Sequence, residues 1–351
     1  MELKSSKYLI VGQGIAGLSL AFRMLQRGIT FQVIDSPKRK ASSSVAAGII
    51  NPITGRRYVK SWIIEHLILE ANSFYADLTQ LIGQDTFIKK DIIRSLFNHQ
   101  EEQDWWMRRQ DPMYADFMSA PESIADFPAG FRPVYAFGKV EHGGRVDLRG
   151  TVEAFQAYLK RKDLFVQDTL EYEDLVLQGN GVLWKNNHFD RVVFCEGAFV
   201  VDNPFFGDLP FNPTKGEVLI IRAAGLDQSV ILKNRIFLVP LGDHMFWVGS
   251  QYSTQFKDDN PEEDSKLFLL ERLQEVIDCP FELLDHRAAI RPTVKDRKPM
   301  LGQHTLHKEL FIFNGLGTKG ASLAPYFSKH FMEYLEQGAS LMPEVNIERF
   351  N

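Results

Sequence analysis

Hydrophobic and polar positions fall into similar blocks at the two ends of the chain. Tyr8-Leu9-Ile10-Val11 is an unbroken apolar run of strand length, followed by Gly12-Gln13-Gly14-Ile15-Ala16-Gly17. Ile15, Leu18, Phe22 and Leu25 then recur at helical spacing until Arg27-Gly28. Phe31-Gln32-Val33-Ile34 is a second apolar run, closed by Asp35. Strand, glycine turn, helix, strand and acid in that order predict a dinucleotide-binding βαβ unit. Near the other end, Leu310-Phe311-Ile312-Phe313-Asn314 reads as a buried strand. It runs into a second glycine-rich junction, Gly315-Leu316-Gly317-Thr318-Lys319-Gly320, and a helix over 321–336.

The middle of the chain has a different rhythm. Arg56, Arg57 and Lys60 open a helical pattern that continues to about Leu81. Pro112, Pro121, Pro128 and Pro133 punctuate an irregular stretch, in which Trp105-Trp106-Met107-Arg108-Arg109 predicts a helix with both tryptophans in the core. Residues 134–140 read as a strand. Residues 151–162 read as a helix with Thr151 as N-cap and Lys160-Arg161-Lys162 at its negative end. A short strand over 164–166 and an apolar strand over 190–197 follow. Residues 216–222, 235–241 and 245–252 read as three strands, with Gly242-Asp243 as a hairpin turn, and 258–277 as a charged amphipathic helix. The change from βαβ units to antiparallel strands predicts an α/β fold of two domains. One is a discontinuous dinucleotide-binding domain of residues 1–80, 140–205 and 286–351; the other is an antiparallel-sheet domain of 81–139 and 206–285.

Composition narrows the function classes. Lys+Arg 40 against Asp+Glu 45 gives a net charge of -5 over 351 residues, so overall charge does not favour nucleic acid as a main partner. The first seven residues hold no apolar signal core. No run approaches the roughly 18 apolar residues of a membrane span, so a cytoplasmic protein without a membrane span is expected. Cys195 and Cys279 make neither a disulfide framework nor a metal cluster. There is no convincing nucleophile triad, and His304 and His307, in a polar turn, read as surface residues.

The chemistry therefore rests on the glycine junctions. Gly12 permits a tight turn, Gly14 lets a pyrophosphate approach the backbone, and Gly17 lets the helix pack close to the strand. Unpaired N–H groups and the helix dipole at Ile15 and Ala16 favour phosphate. Asp35 stands where a carboxylate can accept from both hydroxyls of an adenosine ribose. The small and hydroxyl residues of 41–48 suit a backbone pressed against a flat ligand, although a plain serine-rich loop has the same composition. The second junction offers another helix N-terminus for negative charge, with Lys319 adding a full positive charge. The motif itself does not separate NAD from FAD, nor name a reaction.

Taken together, these pieces resemble the D-amino-acid oxidase/glycine oxidase family of FAD-dependent amine oxidases. The matching segments are 12–17, Asp35, 42–48, Gly144-Arg145-Val146-Asp147 before a helix, and the strand end at 193–197. Phe237-Leu238-Val239-Pro240, residues 290–302 and residues 315–325 complete the match, whereas 82–138 and 255–285 carry little of it. The resemblance implies a Rossmann-like FAD-binding domain with an antiparallel-sheet substrate domain. It implies non-covalent FAD held by Gly12, Gly14, Ile15, Ala16, Gly17, Asp35, Ser43, Ser44, Ala46, Ala47, Gly48, Val166, Glu196, Gly197, Gly315, Gly317, Thr318, Lys319 and Gly320. Arg291 would clamp a substrate carboxylate, and Lys319 would lie by the pyrimidine edge of the flavin. The implied reaction removes a hydride from a C–H beside an amine to flavin N5, with oxygen or another acceptor taking the electrons.

Two branches of the family compete. One is glycine oxidase-like and acts on small amino acids or N-substituted glycines. The other is the oxidase half of the bifunctional tRNA 5-methylaminomethyl-2-thiouridine enzyme, which has a Gly-Leu-Gly-Ser-Arg-Gly segment where this chain has 315–320. The chain has no methyltransferase half and is acidic overall, which counts against tRNA. Phe237 stands where glycine oxidases place a tyrosine, which removes a polar substrate contact. An NAD-dependent dehydrogenase, a flavoprotein dehydrogenase with a non-oxygen acceptor, and a flavin-containing binding protein are the rival classes.

Overall fold

Lys4–Val11 forms the first strand of a computed structural model that describes residues 4–350. Its side chains alternate as a strand's must. Tyr8 and Ile10 enter one apolar cluster, while Leu9 and Val11 enter the cluster on the other face. Five strands run parallel in the spatial order Phe165–Gln167, Phe31–Asp35, Lys4–Val11, Asn187–Phe194, Leu310–Asn314. Met300–Gln303 adds an antiparallel edge. Helices α1 (Ile15–Gln26), α2 (Ile64–Ile82), α3 (His99–Gln110), α4 (Leu148–Arg161), α5 (Glu263–Val276) and α6 (Gly320–Gln337) complete the helical set of the described residues. α1, α2, α4 and α6 pack together beside this sheet, α1 against α6 most extensively. The arrangement is the Rossmann-like α/β layer expected.

A second, seven-stranded sheet has the order Glu282–Arg291, Thr214–Arg222, Met245–Ser253, Phe237–Gly242, Ile231–Lys233, Ile92–Leu96, Ala136–Val140. All its pairings are antiparallel except that of Ile231–Lys233 with Ile92–Leu96. Its outer face carries Leu219, Ile221, Leu232, Leu238 and Val248, which form an apolar cluster with Leu269 and Leu273 of α5. Its inner face carries Val218, Val239, Trp247 and Ala289, which join the same cluster as α1 and α6.

Several local expectations are corrected. α4 starts at Leu148 with Asp147 as the flanking residue, and Thr151 is a buried interior residue rather than an N-cap. Arg56 and Arg57 do not open a helix; they are exposed in the turn of a hairpin, Ile53–Thr54 with Val59–Lys60, and α2 begins at Ile64. Trp105 is fully buried, but Trp106 is 45% exposed. His304 and His307 are half-buried and stacked on each other at 4.9 Å, with Phe205 and Phe206 against them. α5 starts at Glu263, after Pro261. The expected domain boundary at 286 falls inside the strand Glu282–Arg291.

Candidate active site

A cavity of about 320 Å³ opens where the parallel strands end and the second sheet faces them. Val11-Gly12, Ile34-Asp35, Cys195-Glu196 and Asn314, each at a strand's carboxyl end, form one side of it. This is the general ligand position of open α/β sheets. Backbone bonds hold these ends in register: Gly12 N–H to the Ile34 carbonyl at 2.8 Å, and Cys195 N–H to the Val11 carbonyl at 2.7 Å. The Asn314 amide donates to the Gly197 carbonyl at 2.9 Å, tying the second junction to the central strand.

Three glycines of the first turn have three separate causes. Gly12 has φ +99, and a Cβ there would run into the Cys195 carbonyl. At Gly17 a Cβ would overlap the Gly12 carbonyl oxygen, so glycine is what lets α1 sit on the turn. Gly14 differs. Its φ is -73, open to any residue, and its Cβ would meet only Ser43 Oγ at 3.5 Å, an ordinary contact. No protein atom requires glycine at 14, and the space beside it belongs to the cavity.

The N-termini of α1 and α6 meet at this cavity. A Cβ on Gly320 would approach Ile15 Cγ2 to 2.9 Å, so glycine sets how closely the two helices come. The first N–H groups of each helix lack intrahelical partners and add positive potential on the same space. Ser43 takes one of them, accepting from Ile15 N–H at 3.1 Å. Asp35 accepts from Gln13 N–H at 3.1 Å. Burial raises its pKa, opposed by that hydrogen bond and by Arg39. Glu196 is fully engaged by Arg39 at 3.0 Å, the Tyr172 hydroxyl at 2.8 Å and the Asn203 amide at 2.7 Å. Burial raises its pKa, and these three partners counter it.

On the opposite side, Arg291 lies over Gly216, where a Cβ would overlap the guanidinium. Its pKa is lowered, with burial the sole cause. No carboxylate among the described residues forms an ion pair with it. Lys319 donates to Ser61 Oγ at 3.1 Å, and its pKa is lowered by burial and then by Arg297. Thr293 N–H to the Arg291 carbonyl at 2.8 Å and Asn212 N–H to the Thr293 carbonyl at 2.7 Å shape the chain as it leaves the sheet.

Of the residues singled out in the sequence, Gly12, Gly14, Ile15, Ala16, Asp35, Ser43, Ala46, Ala47, Gly48, Glu196, Gly197, Gly317, Thr318, Lys319, Gly320 and Arg291 all border this one cavity. Gly17, Ser44, Val166 and Gly315 do not. Gly17 and Gly315 act through packing, Gly315 at φ +73 against Val294 and Met300. Ser44 caps its own turn on the Ala41 carbonyl at 2.7 Å, and Val166 pairs with Ile34 in the sheet. Arg39, Trp247 and Gly216 were missed. Trp247 donates to the Val45 carbonyl at 2.8 Å and so fastens the 42–48 loop to the second sheet. Gly216, a glycine inside a strand, was a readable sign of close approach.

The family described as FAD dependent oxidoreductase matches residues 7–334. A curated relative, the uncharacterized oxidoreductase YurR of Bacillus subtilis, is 27% identical over 209 residues, which are 55% of this chain and 55% of that protein. The chain thus spans about half the length of that relative. Among solved structures, glycine oxidase from Bacillus cereus superposes with a TM-score of 0.78 at 19% identity, over 95% of this chain and 96% of that one. Iminodiacetate oxidase from Chelativorans sp. gives 0.75 at 17% identity over 98% of each chain. L-proline dehydrogenase from P. horikoshii gives 0.75 at 16% identity over 99% of this chain and 98% of that one. At these identities the structural likenesses establish the fold.

Proposed function

Because the chain belongs to the FAD dependent oxidoreductase family, we propose that it oxidises the C–N bond of a small amino acid or N-substituted glycine, passing the electrons to oxygen or another acceptor. The observation that carries this reading is Arg291, a desolvated guanidinium on the cavity wall with no carboxylate partner among the described residues. A buried cation left unpaired is costly, and a substrate carboxylate would complete it in two-pronged fashion.

The residues around the first turn fit FAD. Glycine at 14 answers to nothing in the protein and leaves room for a pyrophosphate. Asp35 is a carboxylate with acceptor capacity to spare at the end of the second strand, which suits a ribose. Gly12, Ile15, Ala16, Ser43 and Gly48 would complete the phosphate and ring contacts. When bound, the flavin supplies the hydride acceptor.

The chain's own part is positional. Arg291 fixes the carboxylate end of the substrate, and the apolar side chains of Val218, Phe237 and Trp247 keep water from the wall beside it. Away from the Asp35 end, the charged wall residues are Arg291 and Lys319, both cations. Among the described residues no acid or imidazole lines that part of the wall to take the amine's proton, so the substrate would react from its neutral amine form. Lys319 and the α6 N-terminus favour negative charge at the second junction. The test is a panel of glycine, N-alkylglycines and amino acids mixed with the holoenzyme without oxygen. Bleaching of the flavin by none of them would end this reading.

A further inference from the structure

The inner face of the second sheet carries two further cations beyond the Phe237 wall. We propose that Lys233 and Arg94 form a second anion subsite, so that the substrate is an N-substituted glycine whose N-substituent ends in a carboxylate or phosphate. This rests on the reading that Arg291 takes the glycine carboxylate.

The placement follows from register. Val218 pairs with Gly249, Gly249 with Phe237, Phe237 with Lys233, and Lys233 with Arg94. Residues directly opposite each other in a sheet share a face. Val218 and Phe237 line the cavity, so Lys233 and Arg94 continue the same row outward. Lys233 Nζ lies 4.3 Å from the centre of the Phe237 ring and donates to the Arg235 carbonyl at 3.1 Å. Arg94 lies 5.4 Å from the Tyr58 ring centre and reaches the Gly55 carbonyl at 3.5 Å, next to the wall residue Thr54. Its Nε is buried without a partner.

Neither cation has a carboxylate in ion-pair contact among the described residues. The acid that acts on Arg94 from α3 is Glu101, whose carboxylate accepts from Phe97 N–H at 3.0 Å, and the side-chain partner of Arg94 is the uncharged Tyr58 hydroxyl. Burial, and then the charge of Arg94, push the Lys233 pKa down to about 8. Burial lowers that of Arg94 as well. Two half-buried like charges side by side repel, and the rings of Phe237 and Tyr58 offset only part of that cost. An anion between them would remove the repulsion and fill the orphaned donor.

Distance sets the occupant's size. Val218 lies three strand spacings from Lys233, roughly 14 Å, and Gly216, under the Arg291 guanidinium, is two residues further along that strand, roughly 16 Å from Lys233. Free glycine cannot bridge that span. A substituent that crosses the Phe237 ring can.

Unreactive α,ω-dicarboxylates test this directly, with their monomethyl esters as singly charged controls, by calorimetry on the FAD-loaded protein. The diacid with a chain of about ten methylenes should bind at least about tenfold tighter than its monoester. Lys233→Met should erase that advantage and leave the monoester unchanged, while Lys233→Arg should keep it. A phosphono-terminated chain of the same length, compared with the diacid, assigns the second anion as phosphate or carboxylate. Equal binding of diacid and monoester by the parent, or an advantage that survives Lys233→Met, overturns the subsite. Flavin bleaching by N-methylglycine in the same samples separates the two claims. Bleaching without a diacid advantage sinks the subsite alone. A diacid advantage without bleaching by any glycine sinks the proposed reaction, and with it the assignment of the substrate class.

Discussion

Replacing Arg291 by methionine separates a substrate clamp from a structural arginine. In the free protein the guanidinium has no carboxylate partner among the described residues, and burial alone depresses its pKa. Its removal therefore orphans no buried acid, and a methionine stem can cover Gly216 much as the arginine stem does. The unfolding temperature of Arg291→Met should equal or exceed that of the parent. In the substrate complex the change removes two charge-assisted hydrogen bonds, each worth about 1.5–3 kcal/mol and not additive. A net loss of about 3 kcal/mol corresponds to a fall of roughly 150-fold in substrate affinity. Arg291→Lys should recover only part of it, because an ammonium makes one contact where the fork makes two. Stopped-flow bleaching of the flavin without oxygen, at varied N-methylglycine, gives the affinity, and a thermal melt gives the stability. A change in affinity of less than about threefold, or a melt several degrees below the parent, would assign Arg291 a packing role and refute the clamp.

Gly14→Ala should fold as the parent does yet lose FAD, since its Cβ meets only Ser43 Oγ at 3.5 Å; retained yellow colour after gel filtration would contradict this. Gly17→Ala should instead destabilise the apoprotein, because its Cβ overlaps the Gly12 carbonyl, and a melt equal to the parent's would contradict that packing. Burial raises the Asp35 pKa, and only the ionised form can accept from both ribose hydroxyls, so FAD retention should weaken as pH falls through that pKa. Asp35→Asn should weaken retention at neutral pH and flatten this dependence, as read by ultrafiltration. Lys319→Met should lower the flavin reduction potential by about 30 mV, with substrate affinity little changed; an unchanged potential would place Lys319 away from the ring.

The nucleotide half was legible because its signals are local. Gly12 to Gly17, Asp35 and the apolar runs around them state their roles within about thirty residues. Arg291 came from the resemblance, but the strand that delivers it was harder to read. Glu282–Arg291 leaves Leu284 exposed and Ala288 and Ala289 buried, so no clean alternation marks it. The start of α4 was misplaced because the helical reading began at Thr151, just after Gly150. In fact Gly150 is helical, and a Cβ there would overlap the Asp147 carboxylate. Gly55 and Tyr58, both at positive φ, make a hairpin where Arg56 and Arg57 suggested a helix. Lys233 lies opposite Arg94 only through a parallel pairing of strands far apart in the chain, and His304 meets Phe205 and Phe206 across a similar gap. Contacts of that range leave no local pattern.

The central claim is that one cavity holds FAD against a carboxylate-bearing amine fixed by Arg291. Its most direct test is the visible spectrum of the purified protein, followed by addition of N-methylglycine without oxygen. The account predicts a yellow protein whose flavin bleaches on mixing and recovers its colour when oxygen or an artificial electron acceptor is admitted. A colourless protein that binds NAD, or a yellow one that no amino acid or N-alkylglycine bleaches, would contradict it.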